Sequence, residues 1–142
     1  IMTSIIASNG EYPNLKMIRD ADSGSNKTLS LDKDNLLLIQ KGLLGVVNDR
    51  DGTGFHARED GKLAGKTGTA QVISKDSRNY NTGKYKNHGW YTSYYPFDDP
   101  KIVITVFIEN GISGGRSGGP ITKEIVSYYK KKYIKNVGGT ID

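Results

Sequence analysis

Leu36, Ile39, Leu43 and Val46 recur at the three-to-four-residue spacing of one helical face, which predicts an α-helix over residues 31–48. Ser30 stands just before it in the place of an N-cap, and Asp32 and Asp34 put negative charge into its first turn. Gly42 and Gly45 each cost about 1 kcal/mol relative to alanine inside a helix, so their presence predicts close packing against a neighbour. Ile121, Ile125 and Tyr128 repeat the spacing in a final helix, with Pro120 at its first position and a lysine-rich end that complements the dipole. The opening apolar run stops at Asn9-Gly10, the usual left-handed terminators, and reads as the tail of a helix over residues 1–9.

Three segments read as strands, at 66–74, 87–95 and 101–109. In the second, Trp90, Tyr91, Tyr94 and Tyr95 alternate so that one face packs under helices. The third, from Ile102 to Ile108, is almost continuously apolar, which predicts burial on both faces. Pro96-Phe97-Asp98-Asp99-Pro100 has the chemistry of a tight connection and should pair the flanking strands antiparallel. Polar stretches at 19–29, 49–62 and 75–86 read as connectors, and residues 136–142 as a tail. The expected class is α/β, an α+β sandwich of antiparallel strands flanked by helices.

With 142 residues, 35% of them hydrophobic, the chain can build one small core and is one domain or part of one. It has no cysteine, so no disulfide is needed. No run approaches the roughly twenty apolar residues of a membrane span, so any anchor would belong to sequence beyond this chain. A net charge of +5 with nine tyrosines raises single-stranded nucleic-acid binding, yet the lysines are scattered or gathered at the last helix instead of interleaved with the aromatics. They read as a solvated face, and no nucleic-acid partner is expected.

Lys66-Thr67-Gly68-Thr69-Ala70 carries the densest chemistry. Lysine supplies a fixed positive charge, the threonines supply hydroxyls that can bond a carboxylate, and glycine lets the backbone approach a ligand. Gly65-Lys66-Thr67 also matches the end of a phosphate-binding loop, but the required earlier glycine is Asp60, and strand-like sequence follows where a helix is needed. His56 and His88 have no Cys, Asp or Glu at zinc-like spacing, so no metal or other cofactor is expected, and packing or hydrogen bonding is their expected role.

The wider stretch Ala64-Gly65-Lys66-Thr67-Gly68-Thr69-Ala70-Gln71-Val72 resembles the third active-site motif of the serine penicillin-binding proteins, more narrowly of the class B transpeptidases. The resemblance runs over residues 1 to 135, through Gly42-Leu43-Leu44-Gly45-Val46-Val47-Asn48, Gly52-Thr53-Gly54, Asn87-His88-Gly89-Trp90-Tyr91, Glu109-Asn110-Gly111 and Gly114-Gly115 before Pro120-Ile121. It implies that residues 1–142 are the C-terminal part of a transpeptidase domain. Two more strands and an all-helical half would then come from preceding sequence.

That family works with a Ser-x-x-Lys, a Ser-x-Asn and a Lys-Thr-Gly in chain order. Only the third stands in its setting. Ser30-Leu31-Asp32-Lys33 and Ser127-Tyr128-Tyr129-Lys130 fit the first pattern, but Ser30 reads as a cap and Ser127 as a surface position. Ser77-Arg78-Asn79 follows the Lys-Thr-Gly, the wrong order. The resemblance implies a nucleophile outside this chain, Lys66 and Thr69 as catalytic residues, and Lys66, Thr67, Gly68 and Thr69 as the substrate-binding wall. Thr69 would bond the carboxylate of a D-Ala-D-Ala stem peptide or a β-lactam and lend its N–H to an oxyanion hole. A non-catalytic β-lactam-binding or sensor domain of the same fold is the alternative. Also implied are a periplasmic setting on the bacterial inner membrane and, through an exposed sheet edge, self-association.

Overall fold

A computed structural model describes residues 1–14, 25, 27–72, 78 and 86–134. Its elements run α1 (Met2–Ala7), β1 (Glu11–Tyr12), β2 (Lys27–Thr28), α2 (Lys33–Asn48), a 3-10 turn (Phe55–Ala57), β3 (Ala64–Ala70), β4 (His88–Tyr95), β5 (Ile102–Ile108) and α3 (Gly114–Tyr129). A π-type turn, Lys130–Ile134, extends α3. The sheet order is β3-β4-β5 with both pairs antiparallel, and the tight connection at 96–100 joins β4 to β5 as it predicts. β1 and β2 form a separate small antiparallel pair that is too short to leave a periodic signature.

Register sorts the sheet into two faces. Pairing sets Thr67 opposite Tyr91 and Tyr91 opposite Val106, so these share one face with Gly65, Thr69, Tyr95 and Ile104. The helix α3 covers that face, and Val47, Ala57, Leu63, Tyr91, Tyr95, Ile104 and Val126 form the main core beneath it. On the opposite face Ala7, Ala64 and Tyr94 make a smaller cluster with Leu43, Leu44 and Phe97. The helix α2 thus feeds both cores, Val46 and Val47 into the first and Leu43 and Leu44 into the second.

Several expectations are corrected. The N-cap of α2 is Asp32, whose carboxylate accepts from the Asn35 N–H at 2.8 Å, and not Ser30. A carboxylate beside the exposed N–H groups is the better cap because it also meets the helix dipole. The glycines of α2 do not mark a close approach. A Cβ on Gly42 would meet no described atom within 4 Å, and one on Gly45 would meet only the side chain of Asp49. The strand expected at 66–74 runs from Ala64 to Ala70, while Ile73 and Ser74 lie outside the described residues. The connector at 19–29, the loop at 75–86 and the tail at 136–142 fall largely outside them too.

Continuous apolar character in β5 does not bring burial on both faces. Ile104 is buried, but Val103 and Phe107 are 37% and 48% exposed, because α3 covers one face only and alternation turns these two to the other. The helix α3 begins at Gly114, so Pro120 lies inside it instead of opening it. Gly114, Gly115, Gly118 and Gly119 form a side-chain-free stripe pressed on the sheet and on the 3-10 turn, and all four are buried. A Cβ on Gly118 would sit 2.7 Å from the Tyr91 Cβ. Ile121, Ile125 and Tyr128 are exposed, and the residues that reach the core are their neighbours Thr122 and Val126.

Candidate functional site

The strand β3 is an outer strand, with no second strand partner among the described residues, and it carries the Lys66-Thr67-Gly68-Thr69 run. Alternation places Lys66 and Gly68 on one face and Thr67 and Thr69 on the other. Lys66 is exposed, and its ammonium donates to the Thr67 carbonyl at 2.8 Å. Gly68 stands directly opposite Trp90, where an added Cβ would lie 3.2 Å from the Trp90 Cβ. The indole itself packs on Phe107 of β5, with ring centroids 4.6 Å apart. Thr69 is exposed near the outer end of β3.

Three elements hold this strand from behind. The first turn of α3 lies so close that a side chain at Gly114 would run into the Trp90 and Gly68 carbonyls. The Gly52-Thr53-Gly54 turn touches it through Thr53, whose hydroxyl shares a 3.0 Å hydrogen bond with the Thr67 hydroxyl. That turn is itself tied down. The Gly54 N–H donates to the Val46 carbonyl at 2.9 Å, and the buried Tyr91 hydroxyl donates to the Gly54 carbonyl at 3.2 Å. Burial pushes the Tyr91 phenol well above its usual range, so it stays a neutral donor. From α2, the Asn48 amide donates to the Leu63 carbonyl at 2.9 Å, just before β3 begins.

Beyond β3 a second charged cluster fixes the far end of α3. Lys130 lies 2.9 Å from Asp60 and 3.6 Å from Glu59, and the Tyr95 hydroxyl donates to Asp60 at 2.8 Å. Burial pushes the Asp60 carboxyl up, but hydrogen bonds from Lys130, Tyr95 and the Lys62 N–H outweigh it and hold the group below its ordinary value. The hydrogen bond to Asp60 likewise raises Lys130. Lys130, the lysine of the Ser127-Tyr128-Tyr129-Lys130 match, is therefore held by the two carboxylates. Ser30 is exposed on a groove with Leu29, Leu36 and Gln40. Ser77 and Asn79 lie outside the described residues. The His88 Nδ1 accepts from the Asn110 N–H at 3.0 Å, and its ring packs edge-on against Phe107, the bonding role expected of it.

The sequence singled out Gly52-Thr53-Gly54 and Gly114-Gly115 only as part of the family resemblance, without a task for either, and started the last helix at Pro120. The recurrence of glycine at 114, 115, 118 and 119 is a helical spacing and was the available signal for the packing face.

Fold and strand together define an α/β domain with one cationic, hydroxyl-bearing outer strand backed by a helix N-terminus. The penicillin binding protein transpeptidase domain model matches residues 2–127, and the chain belongs to that family. It is 39% identical over 105 residues to the peptidoglycan D,D-transpeptidase MrdA of Haemophilus influenzae, an alignment covering 69% of this chain and 16% of that protein. It is 31% identical over 124 residues to MrdA of Acinetobacter baumannii, covering 84% and 18%. Among solved structures it matches penicillin-binding protein PBP2 of Helicobacter pylori in a complex with MreC, at a TM-score of 0.71 and 31% identity, covering 92% of this chain and 24% of that one. The transpeptidase domain of Burkholderia pseudomallei penicillin-binding protein 3, 23% identical with a TM-score of 0.70, covers 98% and 42% and shares the fold. The chain thus spans a small part of the relatives it matches.

Proposed function

We propose that the protein is a serine-type peptidoglycan D,D-transpeptidase, and that residues 1–142 supply one wall of its acyl-transfer cleft. The observation that carries the reading is the outer strand β3, which presents Lys66-Thr67-Gly68-Thr69 along an edge with no strand partner among the described residues, in a chain of the transpeptidase family. Lys66 would place its charge beside the reacting groups and assist proton movement. Thr67 and Gly68 would complete the substrate wall. Thr69 would give its hydroxyl to the carboxylate of a stem peptide ending in D-Ala-D-Ala, or of a β-lactam, and its N–H to the developing oxyanion. One such donor is worth about 3 kcal/mol of barrier in a complete site. The attacking serine and the rest of the domain would come from sequence outside this chain, with the whole facing the extracytoplasmic side of the inner membrane. Without that sequence the β5 edge would be open to pairing with a second copy.

The test is fluorescent penicillin applied to the full-length protein and to the 142-residue chain alone. Labelling of a serine outside residues 1–142, with none on the isolated chain, is the expected result. Reversible binding without an adduct would favour a sensor domain, and a stable adduct on Ser30 or Ser127, or no binding at all, would overturn the reading.

A further inference from the structure

We propose that Thr53 is a positioning residue for the Lys66–Thr69 strand, acting through the hydroxyl of Thr67. The inference rests on the acyl-transfer reading above. Its ground is the way one short turn joins every element around β3. The Gly52-Thr53-Gly54 turn is clamped to α2 by the Gly54 N–H on the Val46 carbonyl, and to β4 by the Tyr91 hydroxyl on the Gly54 carbonyl. From this fixed base the Thr53 side chain reaches forward to the Thr67 hydroxyl at 3.0 Å, and its own carbonyl packs against Gly115 in the first turn of α3. A Cβ at Gly115 would run into that carbonyl and would lie 3.3 Å from the Thr67 methyl, so Thr53, Thr67 and Gly115 form one three-way contact.

An outer strand lacks a partner on its free side, so its position depends on what holds it from behind. Thr67 has its hydroxyl fixed by Thr53, and its methyl lies close to Gly115. Thr69 lies two residues further along the same face, and Lys66 is the residue before. A hydroxyl that sets the Thr67 rotamer therefore sets the strand segment whose neighbours address the substrate. Misplacement of such a segment by a fraction of an ångström lowers the rate without unfolding anything. Thr53 touches no substrate in this arrangement. It acts by fixing Thr67.

The experiment measures the acylation rate of the full-length protein by fluorescent penicillin, together with the label bound per molecule at saturation. The variants are Thr53→Val, which keeps the shape and removes the hydroxyl, Thr53→Ser, which keeps the hydroxyl, Thr67→Val, and the double variant T53V/T67V. The expected result is a roughly tenfold slower acylation in T53V with full labelling at saturation, a rate within about twofold of wild type in T53S, and a double variant no slower than the slower single variant. A tenfold loss corresponds to about 1.4 kcal/mol. Wild-type rate in T53V, equal slowing in T53S, or additive losses in the double variant would each overturn the proposal. So would reduced labelling at saturation with an unchanged rate, since that marks loss of folded protein only. Failure of the wild type to label removes the acyl-transfer reading itself, and this inference with it, a result distinct from all the others.

Discussion

The same substitution, glycine to alanine, should have opposite effects at two helical positions. At Gly118 the added methyl would sit 2.7 Å from the Tyr91 Cβ, against the 3.5 to 4.0 Å that carbon atoms prefer. Tyr91 cannot give way cheaply. It is fully buried, its Cβ is fixed to the central strand β4, and its hydroxyl is bonded to Gly54. At a contact this short to a fixed Cβ the strain falls in the upper half of the usual overpacking range, about 2–3 kcal/mol, while alanine regains about 1 kcal/mol of helix propensity. Gly118→Ala should therefore destabilise by about 1–2 kcal/mol. At Gly42 no described atom lies within 4 Å of the new methyl, so only the propensity gain acts and Gly42→Ala should stabilise by up to about 1 kcal/mol. Propensity cancels between the two, and the difference of about 2–3 kcal/mol measures the contact between α3 and β4 alone. In thermal unfolding it should separate the two midpoints by roughly 10 °C. Coincident midpoints would refute the view that the glycine stripe of α3 exists to let the helix lie against the sheet.

Two further outcomes follow from the geometry. Asp32→Ala should cost about 1 kcal/mol by removing the cap of α2, whereas Ser30→Ala should leave stability within about 0.5 kcal/mol of wild type, both read from urea midpoints. The Asp60–Lys130 bridge should give the protein a broad stability plateau. Asp60 lies below its unfolded value of 3.8 and Lys130 above 10.5, so the contribution is complete between those limits. It fades as acid protonates Asp60 below pH 3.8 and as alkali deprotonates Lys130 above 10.5. Asp60→Asn should lose about 1 kcal/mol at neutral pH and flatten the acid limb, and an unchanged acid limb would show that the bridge contributes nothing.

Much of the architecture was legible along the chain because it rests on local rules. The helical spacing of Leu36, Leu43 and Val46, the Asn9-Gly10 terminator and the turn at 96–100 each act over a few residues, and each element appears where it was expected. Asn9 and Gly10 both adopt positive φ, at 57° and 101°. The Lys66-Thr67-Gly68-Thr69 run was legible as a strand for the same reason. The exposure of Phe107, the burial of the four α3 glycines and the bond between Thr53 and Thr67 were not, because each depends on which surface another part of the chain covers.

The amino-acid order by itself determined which of the longer segments become helix or strand and which residue types line β3, since propensity, capping and side-chain alternation need no distant partner. Only the folded chain decided that α3 covers one face of the sheet, that its glycines and not its isoleucines meet the strands, and that a threonine fourteen positions upstream holds Thr67. Such choices are made by steric fit between surfaces remote in sequence, where a single Cβ settles whether two elements can touch.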